Sequence, residues 1–169
     1  MIKRIVLCLA VVFAFGLVYA AEEPATNINP NKHPNLAKAQ TLINEAFESI
    51  VAAQKANEFD LDGHAAKAKD LLEQSSKELK LAAVEANKDT STKGKPEEVA
   101  ADEKPATNIS DTKHPNLAKA QQLMDSAYAK ILAAQKANDF AMKGHAAKAK
   151  TLLEQASAEL KLAAQAANK

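Results

Sequence analysis

The sequence predicts an all-α protein made of two tandem antiparallel helical hairpins packed as a four-helix bundle. Three observations predict it. About 22% of the 169 residues are alanine, the strongest helix former, while β-branched and aromatic residues are scarce. Residues 33–88 recur as residues 114–169, displaced by 81 positions with no insertion or deletion and identical at 39 of 56 positions. Within each copy, apolar residues fall alternately three and four apart in two successive stripes, the spacing that places them on one helical face.

Residues 1–20 stand apart. Lys3 and Arg4 form a basic start, residues 5–18 an apolar run, and Val18-Tyr19-Ala20 a cleavage-like end; together they read as a secretory signal cut before Ala21. Fourteen residues of helix span about 21 Å, short of the roughly 30 Å hydrocarbon core, which argues against a permanent anchor. The chain from Ala21 onward carries 20 Lys, no Arg, 21 acidic residues and no Cys, a formal charge of −1. Nucleic-acid binding is thereby excluded, since it needs a basic excess and favours arginine. Disulfides and thiolate ligands are excluded too, because Cys8 leaves with the signal.

The remaining elements follow in order. Residues 21–32, rich in Pro, Asn and charge, read as a disordered leader. Residues 33–88 form the first hairpin. Its first stripe is Leu36, Ala39, Ile43, Ala46, Ile50 and Ala53, flanked by Leu42 and Phe47, with Pro34 where a first helical turn tolerates proline. Gly63 separates the stripes, where a left-handed residue would end the first helix. The second stripe is Ala65, Ala68, Leu72, Ser75, Leu79, Ala82 and Ala86. Residues 89–112 read as a flexible linker of Pro, Gly, Thr and alternating charge. Residues 113–169 repeat the hairpin: Leu117, Ala120, Met124, Ala127, Ile131 and Ala134 with Leu123 and Tyr128, then Gly144, then Ala146, Ala149, Leu153, Ala156, Leu160, Ala163 and Ala167. Each helix should hold about 25 residues and measure roughly 38 Å. A lone hairpin buries little surface, which favours pairing the two copies.

Four histidines occupy equivalent places. His33 and His114 precede the proline of a first helix, and His64 and His145 follow the glycine before a second. One hairpin keeps its two at opposite ends, about 38 Å apart, so a pair needs the other copy or another molecule. In an up-down-up-down bundle, His33 faces His114 at one end and His64 faces His145 at the other. Carboxylates or water would complete two such sites, and copper, nickel and zinc all accept imidazole. The alternative is four solvent-exposed histidines at helix starts.

The stretches AAQKAN and GHAAKAK are identical in both copies and flank the turn from either side. Gln54, Lys55, Asn57, Lys67 and Lys69 therefore crowd one end of one hairpin, and Gln135, Lys136, Asn138, Lys148 and Lys150 one end of the other. These ten residues are the candidate interaction surface, for an envelope protein or for self-association. Asn57 and Asn138 also fall on the next position of their stripes, where a buried amide fixes register, unless they begin the helix end.

Carboxylates argue against catalysis. Glu45, Glu48, Asp60 and Asp62 become Ser126, Ala129, Ala141 and Lys143 in the second copy. Glu73, Glu78, Glu154 and Glu159 are shared, but Glu73 and Glu154 have a lysine four positions away and Glu78 and Glu159 one two positions on, and all four read as part of a solvated helical face. No phosphate-binding glycine loop, HExxH helix or nucleophile elbow occurs. The lysines are interleaved with acids and glutamines, and alanine dominates the apolar faces, so helix packing is preferred over attachment to a membrane.

The runs GHAAKAKDLLEQSSKELKLA and GHAAKAKTLLEQASAELKLA resemble the small metal-binding protein family of bacterial periplasms, short exported helical proteins associated with copper, nickel and zinc. The resemblance covers residues 63–82 and 144–163 and implies a periplasmic location and helical hairpins. His64 and His145 are the positions it carries across. That family places many histidines along its helices, whereas here Lys67, Lys69, Lys148 and Lys150 stand at those places, and an ammonium repels a cation. The expected function is a non-catalytic structural or interaction module of the cell envelope that requires no cofactor. The alternative is binding or buffering of copper, nickel or zinc through His33, His64, His114 and His145.

Overall fold

The computed structural model describes residues 22–57, 61–88, 104–137 and 142–168. The signal-like segment 1–20 and Asn138 lie outside the described residues, as does most of the expected linker. Among the described residues there are four α-helices, α1 (Pro34–Asn57), α2 (His64–Lys88), α3 (Pro115–Ala137) and α4 (His145–Ala166), of 24, 25, 23 and 22 residues, and a short 3-10 turn at Leu61–Gly63. Each expected stripe becomes the buried face of its helix. Leu36, Ala39, Ile43, Ala46, Ile50 and Ala53 are buried on α1, and Ala65, Ala68, Leu72, Leu79 and Ala82 on α2; the equivalents are buried on α3 and α4. All join one core.

Local chemistry sets the helix ends. Pro34 and Pro115 occupy the first helical position, where no backbone N–H is missed, and the His33 and His114 carbonyls accept the first helical bonds from Ala37 and Ala118. Gly63 and Gly144 are left-handed, at φ 79° and 77°. They stand directly before α2 and α4, six or more residues beyond the ends of α1 and α3, so they lead into the second helix and do not end the first. Leu61, Asp62 and Lys143 share the left-handed region, an uncommon conformation for residues with a Cβ. Here it turns the chain sharply enough to bury Leu61 and Met142 in the core.

The packing order differs from a simple hairpin pair. Helix α1 packs chiefly on α3 and α2 chiefly on α4, while contacts between the two helices of one copy are fewer. The directions follow from the residues that meet. His64 at the start of α2 touches Glu159 late in α4, and His145 at the start of α4 touches Glu78 late in α2, so α2 and α4 are antiparallel. Ala53 and Ala56 near the end of α1 share a cleft with His114 and Leu117 at the start of α3, so α1 and α3 are antiparallel as well. The bundle therefore runs up-down-down-up, with a pseudo-two-fold axis between the copies. The connection from Lys88 to Pro115 joins opposite ends of the bundle.

The leader and the last part of the linker depart from the expectation of disorder. Gln40 on α1 is buried, and its Oε1 accepts the backbone N–H groups of Asn27 and Ile28, both at 3.0 Å. Its Nε2 donates to the Ser76 carbonyl and hydroxyl, and that hydroxyl donates to the Ala25 carbonyl at 2.7 Å. Gln121 and Ser157 hold Asn108, Ile109 and Ala106 in the same way. With Pro24 and Ile28 buried, residues 22–32 and 104–112 form a strap without helix or sheet on each hairpin, ending in a turn at 30–32 and 111–112. A buried amide side chain that completes the backbone bonds of such a segment gives it a fixed place.

Candidate functional site

The polar residues of the bundle interior come together as two equivalent clamps between the copies. In one, the Glu159 carboxylate on α4 takes His64 Nδ1 at 2.7 Å and the Lys67 ammonium, both from the first turn of α2. In the other, Glu78 on α2 takes His145 Nδ1 at 2.7 Å and Lys148 Nζ at 2.6 Å, both from the first turn of α4. The two glutamate side chains keep only 11% of their surface, so the expectation of a solvated face is corrected for Glu78 and Glu159. Glu73 pairs through Oε1 with Lys77 one helical turn along at 2.5 Å, as the spacing implies, with its own side chain 17% exposed and the lysine 67%.

The electrostatics of each clamp are settled by competition. Burial works to raise the Glu78 carboxyl, but the hydrogen bonds from Lys148 and His145 together outweigh it and leave its pKa below the usual carboxylate value. Glu159 is lowered in the same way, with burial opposed by Lys67 and His64. Each carboxylate also lies beside the first turn of the opposing helix, the positive end of its dipole. Near one end of the bundle, hydrogen bonds from Lys143 and then Lys88 hold Glu85 down to about 2.

The four histidines are not paired as an up-down-up-down bundle would pair them. Antiparallel α1 and α3 send His33 and His114 to opposite ends, and antiparallel α2 and α4 do the same to His64 and His145. His33 and His145 share one end, on diagonally opposed helices, and His64 and His114 share the other. His33 is buried with no protein partner at either ring nitrogen. His114 is more open and its Nε2 lies 3.3 Å from Asn168 Oδ1. His64 and His145 are committed to the clamps. Among the described residues no group of three or more His, Cys, Asp or Glu side chains is placed to hold a metal ion.

The expected interaction surface divides. Lys55 and Lys136 are exposed and Gln54 is half-buried near the hairpin turn. Lys67 and Lys148 are drawn into the clamps. Lys69 Nζ lies 5.5 Å above the Phe47 ring and Lys150 Nζ 5.3 Å above Tyr128, cation–π placements that keep the charge near an aromatic face. Lys150 and Gln135 are buried, so neither belongs to an accessible surface, because packing of α3 on α1 and α4 covers them. Asn57 closes α1.

Sequence reading missed Gln40, Ser76, Gln121 and Ser157 as strap anchors and Glu78 with Glu159 as clamps. A signal was present: Gln40 lies in HPNLAKAQ and Glu78 in ELKLAA, both unchanged between copies. Among the described residues no helix is long and apolar enough to cross a membrane. Comparison with family models, curated proteins and solved structures gives no match to this chain.

Proposed function

We propose that this chain is an exported, non-catalytic helical-repeat protein that works as a structural or interaction module in the cell envelope. One observation carries the reading: most of the residues with chemical capacity are spent on the bundle's own structure. His64, Lys67 and Glu159, with His145, Lys148 and Glu78, form cross-copy clamps. Gln40 with Ser76, and Gln121 with Ser157, anchor the straps. What is left for a partner is the rim of each hairpin end, with Lys55 and Lys136 exposed on it. The basic start and apolar run of residues 1–20 support export.

A second reading, binding of copper, nickel or zinc, is favoured by His33, a buried imidazole whose two nitrogens lack a protein partner. The resemblance of the GHAAKAK runs to the small metal-binding proteins supports the same reading. An ion at His33 would need further donors from a second molecule, given the spread of the histidines. Calorimetric titration of the chain from Ala21 with each metal, beside the same chain with all four histidines changed to Ala, separates the two readings. The module reading expects the two proteins to give equal heats. Micromolar or tighter binding that disappears with the four histidines would overturn it in favour of metal binding.

A further inference from the structure

We infer that two copies of this chain exchange hairpins, the hairpin of residues 22–88 from each chain packing on the hairpin of residues 104–168 from the other. The inference rests on the module reading and names the partner as a second copy. The main packing of the bundle is between copies, α1 on α3 and α2 on α4, and not within one hairpin. That interface is self-complementary. Each hairpin offers a carboxylate, Glu78 or Glu159, and receives one on a histidine and lysine of identical spacing. The buried residues at equivalent positions of the two copies are also the same or close in kind, Leu72 and Leu153, Ile50 and Ile131, Phe47 and Tyr128, so each hairpin presents nearly the same apolar face. A surface patch that matches its own copy about a two-fold axis is the geometry of an isologous dimer.

Each hairpin is also a self-contained unit. Among the described residues its strap bonds to its own helices, Asn27 and Ile28 to Gln40 and Ala25 to Ser76, with Lys80 Nζ reaching the Asn27 carbonyl at 2.8 Å. The strap therefore travels with its hairpin and exchange breaks none of these bonds. Residues 89–103 can extend to about 50 Å, longer than the roughly 36 Å of a 24-residue helix, so chain length does not dictate which hairpin is met. Pairing within one chain competes through an effective concentration in the millimolar range, so exchange becomes comparable at about 1 mM of chain.

The test uses the chain from Ala21 to Lys169, unfolded in urea and refolded at about 1 µM or about 1 mM, then diluted for sedimentation velocity. Hairpin exchange predicts a dimer that rises at least about tenfold in proportion between the two and persists after dilution. It reverts to monomer only after heating through unfolding. Monomer alone at both concentrations, or a dimer that falls apart on dilution, overturns the inference. A second measurement uses Ser75→Cys with Ala149→Cys, since Ser75 Oγ donates to the Ala149 carbonyl across α2 and α4 at 3.0 Å. After refolding at high concentration and oxidation, an interchain disulfide supports exchange and an exclusively intrachain one overturns it. Failure of exchange with helical content intact leaves presentation of the hairpin ends to a different envelope component standing, whereas histidine-dependent metal binding overturns the module reading whether or not exchange occurs.

Discussion

Replacing Glu78 by Gln tests whether the clamps, and not the apolar stripes alone, fix the pairing of the copies. The carboxylate receives Lys148 Nζ at 2.6 Å and His145 Nδ1 at 2.7 Å, and only 11% of it is exposed. Hydrogen bonds to a charged group contribute about 1.5–3 kcal/mol when buried. The lysine end must be discounted, because Lys148 is 65% exposed and its ammonium regains water, which limits its share to at most about 1 kcal/mol. The histidine is less exposed, at 29%, and glutamine retains one acceptor for it without the charge. The loss for Glu78→Gln comes to about 2 kcal/mol, or roughly 6–8 °C in Tm for a chain of this size. Glu159→Gln should match it, and the double variant should lose about 4 kcal/mol because the clamps share no residue. The assay is urea unfolding at neutral pH followed by helical circular dichroism, with Glu73→Gln as control. That residue pairs with Lys77 on the surface of one helix, so its loss should stay within about 0.5 kcal/mol. Equal and negligible losses for Glu78→Gln and Glu73→Gln would refute the reasoning.

Gln40→Ala should release the strap while leaving the helices folded, at a cost of about 2–3 kcal/mol because the Ile28 N–H stays buried without a partner; limited proteolysis would then cut within residues 22–32, where the parent chain resists. Ile131→Ala, which empties a fully buried core position, should cost about 2–5 kcal/mol in the same unfolding assay. His33→Leu should be neutral or stabilising within about 0.5 kcal/mol, since neither ring nitrogen has a protein partner to lose; a large destabilisation would show that the imidazole is bonded in solution. Acid should unfold the chain with a defined sign. Glu78 and Glu159 are lowered in the folded state and Glu85 is held at about 2, so their stabilisation is complete above the unfolded carboxylate value near 4.5. It declines as pH falls through the lower folded values, and Glu78→Gln with Glu159→Gln should flatten that slope.

The helical stripes were legible because burial in a bundle imposes a period that sequence records directly. Leu36, Ala39, Ile43 and the positions after them turn up buried in the order the spacing implies. Proline at the first helical position was legible for the same reason, a backbone constraint carried by one residue type. The straps were not legible: Pro24 to Ile28 has the composition of a loop, and what fixes it is a glutamine thirteen positions away bonding to backbone N–H groups. Composition reports what a segment can bury and is silent about an amide supplied from elsewhere. The fate of Lys150 was illegible too, because a lysine on a polar-looking turn becomes buried only once α4 lies against Tyr128.

Helix direction was the decisive unknown, and charge explains why the antiparallel solution is preferred. The two copies carry the same polar residues at the same heights, so a parallel pairing of α2 with α4 would set Glu78 beside Glu159 and Lys67 beside Lys148. Like charges facing across a partly buried seam are repulsive, and neither carboxylate would find a cation from the other copy. Reversing one hairpin brings each glutamate to the histidine and lysine in the first turn of the opposite helix, where the helix dipole also favours negative charge. The apolar stripes cannot make this choice, since alternating alanine and leucine or isoleucine fits either direction. The same reversal sends equivalent histidines to opposite ends, so the arrangement that satisfies Glu78 and Glu159 also separates each pair of equivalent histidines that a metal site between the copies would have used.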